Sequence, residues 1–431
     1  MAKVIKLQDA AKEKAAQRSA VSRRRDGGAR TALVLGGGGF TGGVYEIGAL
    51  RALDLLAVNR TINQFDVYVG TSAGSTIASL AANGVTPEEM MRVVNEQVPT
   101  PFEEVDLGTL LRPNYGEFLR KGALLPLRLL GLARQLIGDL RSVSMMDIGV
   151  ALAENLPAGI YNGSGLESYL REVLRELDRT DDFRLLRNEL FLAATDLDTC
   201  ERIVLGDEGF EDVPISRAVA ASTALPMVYR PVEVKGRQLV DGGIRSTTNV
   251  DIAVERGARF VIVVNPLVPY VNDFRKLIPT AFGSRVRRVS DMGFPQIGYQ
   301  AFKLLAHQRL HEAVAHWERK YPGVDIILIE PDPHDELMFE TSIMNFTKRV
   351  EIARHGFESV TLRLARDYER LSAVCARHGI EISAARVRNV IRHFGRERED
   401  TRAWRRILEQ TTGALLRQAQ GSRRGPRETT G

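Results

Sequence analysis

The sequence predicts an α/β protein with a mostly parallel central sheet covered by helices, and three observations predict it. Apolar, β-branched runs alternate with helical periodicities from residue 31 onward. A glycine-rich stretch, residues 36–43, separates the first such run from the first helix. Gly70-Thr71-Ser72-Ala73-Gly74 separates the second run from the second helix. Right-handed crossovers place both loops at the carboxyl ends of their strands, where binding sites of open α/β sheets form.

Each element follows from its local pattern. Residues 31–35 (TALVL) read as a buried strand, and residues 44–57 as a helix with Ile47, Leu50, Leu53 and Leu56 on related faces. Residues 65–69 (FDVYV) are the next strand, and the small apolar run 75–82 the helix after it. Later strands are predicted at 190–195, 201–205, 231–234, 238–240, 259–265 and 325–330. Helical patterns then dominate at 296–319, 344–375, 382–394 and 401–418. The organisation expected is a basic leader at 1–30, a catalytic domain at 31–270 and a mostly helical C-terminal part at 271–420. Residues 421–431, rich in Gly, Ser and Arg, read as a disordered tail.

Composition narrows the class. With 431 residues and 44% hydrophobic content the chain can bury a large core. Its two cysteines, Cys200 and Cys375, are too few for a disulfide framework or a metal finger and suit a reducing compartment. No apolar run reaches the roughly 18 residues of a membrane span, and the N-terminus is charged where a signal peptide is apolar. The expected location is therefore the cytoplasm, with peripheral attachment to the inner face of the membrane as its variant. Charge is divided unevenly. Residues 1–30 hold nine Lys/Arg against three acids, and residues 384–431 twelve Arg against five acids, so within a total of +5 the body between them is acidic. Basic ends can bind anionic headgroups or stay solvated; nucleic acid is not the expected partner.

The chemistry centres on Ser72. A serine with glycine two residues away on each side, between strand and helix, is the pattern of a nucleophile elbow, whose strained turn lifts the hydroxyl clear of the sheet. Gly70 and Gly74 allow the tight bend. Gly36 to Gly39 can turn backbone N–H groups inward, as an oxyanion hole requires, and Gly37, Gly39 and Gly42 also satisfy the G-x-G-x-x-G dinucleotide fingerprint. No acid stands convincingly at the ribose position, although Asp66 is near. All seven histidines lie at 307 or later, and none falls in the early sheet. A carboxylate is thus the better candidate for the base. Asp241, at the end of a short strand and followed by Gly242 and Gly243, projects where other backbone can approach; the alternative is an Asp-Gly turn bonding its own backbone.

Together these segments resemble patatin-like lipid acyl hydrolases. The resemblance rests on Gly36-Gly37-Gly38-Gly39, Gly70-Thr71-Ser72-Ala73-Gly74-Ser75, Ala221-Ser222-Thr223-Ala224-Leu225-Pro226 and Asp241-Gly242-Gly243, in that order. Tyr45-Glu46-Ile47-Gly48-Ala49-Leu50 and Ala193-Ala194-Thr195-Asp196-Leu197 are similar to further family blocks. The resemblance covers residues 31–265. It implies a patatin-like three-layer fold, a Ser72/Asp241 dyad in place of a triad, an oxyanion hole at Gly37, Gly38, Gly39 and Ala73, and no cofactor or metal. Two departures stand out. The glycine loop lacks the family's Arg or Lys, and Cys200 replaces a common glycine.

The substrate this implies is a fatty-acyl ester of a phospholipid or related glycerolipid. Residues 112–141, with leucines interleaved with six Arg/Lys against two acids, read either as a lid or membrane-facing insert or as a helix packed on the sheet. The helix at 401–418, with Trp404, Ile407 and Leu408, is a second candidate for the membrane. Three rival functions remain at this level: a triad hydrolase using His307, His311 or His334, a nucleotide-binding or regulatory protein using the glycine loop, and a non-catalytic lipid-binding relative. Oligomeric state is not encoded in any of these patterns.

Overall fold

A computed structural model describes residues 30–95, 112–117, 119–121, 123, 156–176, 178–275, 278–279, 285–335, 337–338 and 348–396. The leader at 1–29, the part of the 112–141 insert from residue 124 onward, the predicted helix at 401–418 and the tail lie outside the described residues.

Eight strands form the central sheet. β1 (Arg30–Leu35), β2 (Val67–Thr71) and β4 (Glu189–Asp196) run parallel from the middle outward on one side. β9 (Ala258–Val264) and β12 (Asp325–Ile329) extend the parallel set on the other side of β1. β5 (Arg202–Leu205), β7 (Val232–Val234) and β8 (Arg237–Asp241) add the antiparallel margin. Small strand pairs lie off the sheet: β3 (Gly159–Tyr161) with β6 (Met227–Tyr229), and β10 (Ile278–Pro279) with β11 (Arg285–Val286).

Both faces of the sheet are covered, so its strands read as near-continuous apolar runs. Alternation decides which layer each side chain enters. Leu33, Leu35, Tyr68, Leu190, Leu192, Phe260 and Ile262 join one core, and Ala32, Val34, Val67, Val69, Phe191, Val261 and Val263 the other. The first core lies under α1 (Gly39–Leu56), α2 (Ala73–Ala82), α3 (Pro87–Asn95), α4 (Ser164–Val173) and α5 (Ile215–Ser222). The second is closed by α6 (Val250–Glu255) and by Leu310 of α7 (Phe294–Val314). This is a three-layer α/β/α arrangement.

The helical C-terminal part is built into the same body. Its strand β12 completes one edge of the sheet, and α8 (Arg349–Arg366) lies directly on α1. That contact is backbone-close because both helices carry glycine there: a Cβ on Gly48 would stand 1.9 Å from the Ala353 carbonyl oxygen, and one on Gly356 2.3 Å from that of Tyr45. The predicted helix at 344–375 divides at Asp367 into α8 and α9 (Tyr368–Arg377). At the start of α10 (Ala384–Arg396), Arg386 donates to the carbonyls of Leu55 and Ala57, satisfying the open acceptors at the end of α1.

One boundary differs in a way that matters for the site. The helix predicted to open at Val44 begins at Gly39, so the glycine loop is reduced to Gly36–Gly38. Glycine costs roughly 1 kcal/mol in a helix, which is why its sequence reads as loop. Tertiary packing overrides that preference here. Gly42 sits against Pro266, with room for a Cβ only 3.0 Å from its ring, and Gly43 against Ala73 and Ile77.

Candidate active site

Ser72 follows β2 directly and precedes α2. Its backbone adopts φ 54° and ψ −128°, a conformation that costs a non-glycine residue about 1–3 kcal/mol. The neighbouring glycines leave no alternative bend. A Cβ on Gly74 would stand 2.4 Å from the Gly36 carbonyl oxygen, and one on Gly70 2.5 Å from Ser75 Cα. The Gly74 amide donates to Gly36 O at 3.0 Å, stitching the elbow to the glycine loop.

Strand registry brings Asp241 to Ser72. Ala193 of β4 pairs with Thr71 on one side and Val204 on the other, while Ala194 pairs with Ile203 and Asp241. Since β5 occupies one side of both residues, β2 and β8 share the opposite side. One runs parallel to β4 and the other antiparallel, so their carboxyl ends meet head to head at Thr71 and Asp241. Gly242 permits the meeting: a Cβ there would lie 2.3 Å from Ala193 O and 3.2 Å from Thr71 Cγ2.

The outcome is a hydrogen bond of 2.5 Å from Ser72 Oγ to Asp241 Oδ2. Both residues are buried, Asp241 at 2% exposure and Ser72 at 7%. The second carboxylate oxygen, Oδ1, accepts the Gly243 amide at 2.7 Å. Asp241 thus faces Ser72 with one oxygen and, with the other, bonds its own backbone as an Asp-Gly turn does. Burial pushes the Asp241 carboxyl up to about 6, against the opposing pull of the Ser72 and Gly243 hydrogen bonds.

Around this pair lies a cavity of about 250 Å³. Its floor holds Gly37, Gly38, Gly39, Ser72, Ala73, Asp241 and Gly243, and its walls are apolar, with Ile47, Ile77, Leu80, Met90, Val93 and Leu166 among them. Among the described residues, the amides of Gly37, Gly38, Gly39 and Ala73 meet no protein acceptor. Gly39 opens α1 and Ala73 opens α2, so two helix N-termini face the serine.

Several residues here had no role assigned from sequence. The Ser222 hydroxyl accepts the Ser72 amide at 3.0 Å and donates to Ala193 O at 2.6 Å. In the sequence its segment stands out only through the family resemblance. Asn249 Nδ2 donates to Thr71 Oγ1 at 2.9 Å, fixing the residue before the elbow. Tyr299 and Phe302 of α7 line the cavity, with Phe302 lying against Gly243. No sequence signal could have found those two, since a long helix far along the chain carries no mark of what it will cover.

The geometry also tests the rival readings. Asp66 lies at the amino end of β2, opposite the glycine loop, where its carboxylate accepts from the Thr31 amide and hydroxyl. A ribose-binding acid belongs at the other end of that strand. Among the residues lining the cavity there is no histidine. His307 and His311 stand beside Glu330, and His334 bonds within its own turn at Asp332. Among the described residues no helix is long and apolar enough to cross a membrane.

A buried serine–carboxylate pair at the carboxyl end of a mostly parallel sheet, between two helix N-termini, places the chain among α/β proteins with an elbow-type site. The patatin-like phospholipase family model matches residues 33–254, about half of the chain and the segment that carries the glycine loop, Ser72 and Asp241, and the chain belongs to that family. Curated relatives are distant. "Probable lipid hydrolase 463L" of Invertebrate iridescent virus 6 is 25% identical over 223 residues, 52% of this chain and 63% of the viral protein. The chain thus spans less than two thirds of that relative's length. YqhO of Bacillus subtilis is 26% identical over 239 residues, covering 52% of this chain and 70% of YqhO. Among solved structures, VipD from Legionella pneumophila aligns at 17% identity and a TM-score of 0.33, covering 79% of this chain and 67% of VipD.

Proposed function

We propose that this protein hydrolyses fatty-acyl esters of phospholipids or related glycerolipids, with Ser72 as nucleophile and Asp241 as its base. The observation that carries the reading is the 2.5 Å hydrogen bond between the two side chains on the floor of an apolar cavity. Ser72 Oγ attacks the ester carbonyl while its proton passes to Asp241 Oδ2. A carboxyl raised to about 6 is a better acceptor than free aspartate and is still ionised at neutral pH. The tetrahedral oxyanion is held by the amides of Gly37, Gly38, Gly39 and Ala73. The Ser72 amide takes no part, because the Ser222 hydroxyl already accepts it. Collapse expels the lipid alkoxide, which takes the proton back from Asp241. Water then attacks the acyl-enzyme, giving its proton to Asp241, and the fatty acid leaves as Ser72 Oγ recovers that proton.

The cavity supports an acyl chain rather than a nucleotide, since its walls offer methyl and methylene groups and few polar partners. A phosphonate probe separates this reading from the non-catalytic one. A fluorophosphonate should modify Ser72 in the native protein, with the adduct located by peptide mass spectrometry. The S72A variant should take no label and D241N far less. Labelling elsewhere, or none on a folded protein, would refute the dyad.

We further infer that the protein works at an anionic lipid surface as a peripheral partner. Tyr115, Leu119, Ile160 and Met227 are exposed beside the β3/β6 pair, whose Tyr229 lines the cavity. The basic segments at both ends of the sequence supply the complementary charge.

A further inference from the structure

A second group of chemically suited side chains lies outside the cavity. His307 and His311 are one turn apart on α7, their ring centroids separated by 4.1 Å, and Glu330 immediately follows β12. One ligand-type atom from each of the three lies within 4.8 Å of the others. The carboxylate is divided between two tasks. Glu330 Oε2 faces His311 Nε2 at 3.0 Å, and Oε1 accepts from Asn265 Nδ2 at 2.7 Å. Asn265 is fully buried at the end of β9, and its own amide donates to Ile329 O at 2.9 Å. Glu330 is therefore aimed by a rigid neighbour in the sheet.

We propose that His307, His311 and Glu330 form a site for a divalent transition-metal ion of the zinc type, with Asn265 as the positioning residue for Glu330. Two imidazoles and one carboxylate are the donor set that suits such an ion, whereas calcium and magnesium favour oxygen alone. Three protein ligands leave the fourth tetrahedral position to water. Bond lengths near 2.0–2.1 Å separate tetrahedral ligands by about 3.3 Å, so the widest gap here has to close by about 1.5 Å. Rotation of the imidazoles covers that, and His311, 46% exposed, leaves a path for the ion. Binding exchanges the present hydrogen bond for coordination. The metal takes His311 Nε2, and the ring keeps its proton on Nδ1.

The consequence is mechanical. Phe302 and Tyr299, which line the cavity, precede His307 on α7 by five and eight residues. A metal joining α7 to the end of β12 fixes that wall against the sheet without touching the ester. The site is independent of the hydrolase reading, because nothing in it uses Ser72 or Asp241.

The test uses the full chain without a polyhistidine tag, stripped with chelator and titrated with Zn²⁺ alone by calorimetry and with Co²⁺ by visible absorption. One ion per chain at micromolar affinity or better is expected, with the d–d bands of a four-coordinate site and a raised melting temperature. H311A and E330Q should each abolish this, N265A should weaken it by about tenfold or more, and H334A should leave it unchanged. Binding that survives both H311A and E330Q would overturn the site. So would the absence of stoichiometric Zn²⁺ binding by the unaltered protein, whether or not any variant folds.

Discussion

Asp241 has an oxygen for each of two tasks, and its buried position sets the pH behaviour of the protein. One oxygen accepts from Ser72 and the other is locked by the Gly243 amide, so the carboxylate is held facing the Ser72 hydroxyl. As the proposed base it has to be ionised, so kcat/KM for a soluble ester should fall as pH drops through about 6. A plateau extending to pH 4 would assign the base elsewhere. The same group opposes folding at neutral pH. Its folded pKa is raised above the unfolded value, so the stability linked to its proton is present below about pH 4 and is lost as pH rises through about 6. D241N, which removes that titration, should therefore be inactive yet more stable than the wild type at pH 7–8, by up to about 3 kcal/mol. The gap should shrink towards pH 4, as chemical denaturation at the two pH values would show. At this scale the sequence was informative about identity: Ser72 and Asp241 were both legible, each from glycine neighbours. Ser222 was not, because a hydroxyl that accepts one backbone amide leaves no pattern beyond a single serine.

Among the elements, the α1–α8 contact controls how the glycine loop is held, since α1 begins at Gly39 beside the serine. Its closeness depends on Gly48 and Gly356. Gly48→Ala would drive a methyl into the Ala353 carbonyl and should destabilise the protein by about 3 kcal/mol. Gly298→Ala offers the contrast. That glycine is on an exposed stretch of α7 with nothing within 4 Å, and alanine should add up to about 1 kcal/mol by helix propensity. Equal effects of the two substitutions in urea denaturation would contradict the packing argument. The early strands were legible because buried parallel strands are written as unbroken apolar runs. The start of α1 was not, because Gly39, Gly42 and Gly43 read as loop until Pro266 and Ala73 are seen packed on the last two. Cys200 is a smaller case: it holds φ 59°, the left-handed conformation that makes glycine common at such a place.

For the whole molecule, the unevenness of charge matters more than its total. Two basic ends flank an acidic body, which favours attachment by the ends and disfavours adhesion of the sheet layer itself to an anionic surface. Removing residues 1–29 and 397–431 should reduce pelleting with anionic vesicles at low salt and leave turnover of a soluble ester unchanged. Undiminished pelleting, or equal pelleting with neutral vesicles, would shift the attachment to the apolar residues around β3 and β6. Each basic residue near such a surface contributes about 1 kcal/mol before salt screens it.

From the order of its residues alone, the chain determined its layers and the strand–turn–helix around Ser72, and it marked Asp241 as the candidate base. Strand periodicity, glycine spacing and short turns are local properties, fixed by sterics within a few residues of each position. Only the tertiary structure decided what depends on distance across the sheet. The head-to-head meeting of β2 and β8 on β4, the capture of the Ser72 amide by Ser222 and the placing of α7 over the cavity all join residues far apart in the chain, Ser72 with Ser222 and Asp241 across 150 and 169 positions. No local pattern encodes such pairs, because registry between strands and the packing of helices are settled by the free energy of the whole core.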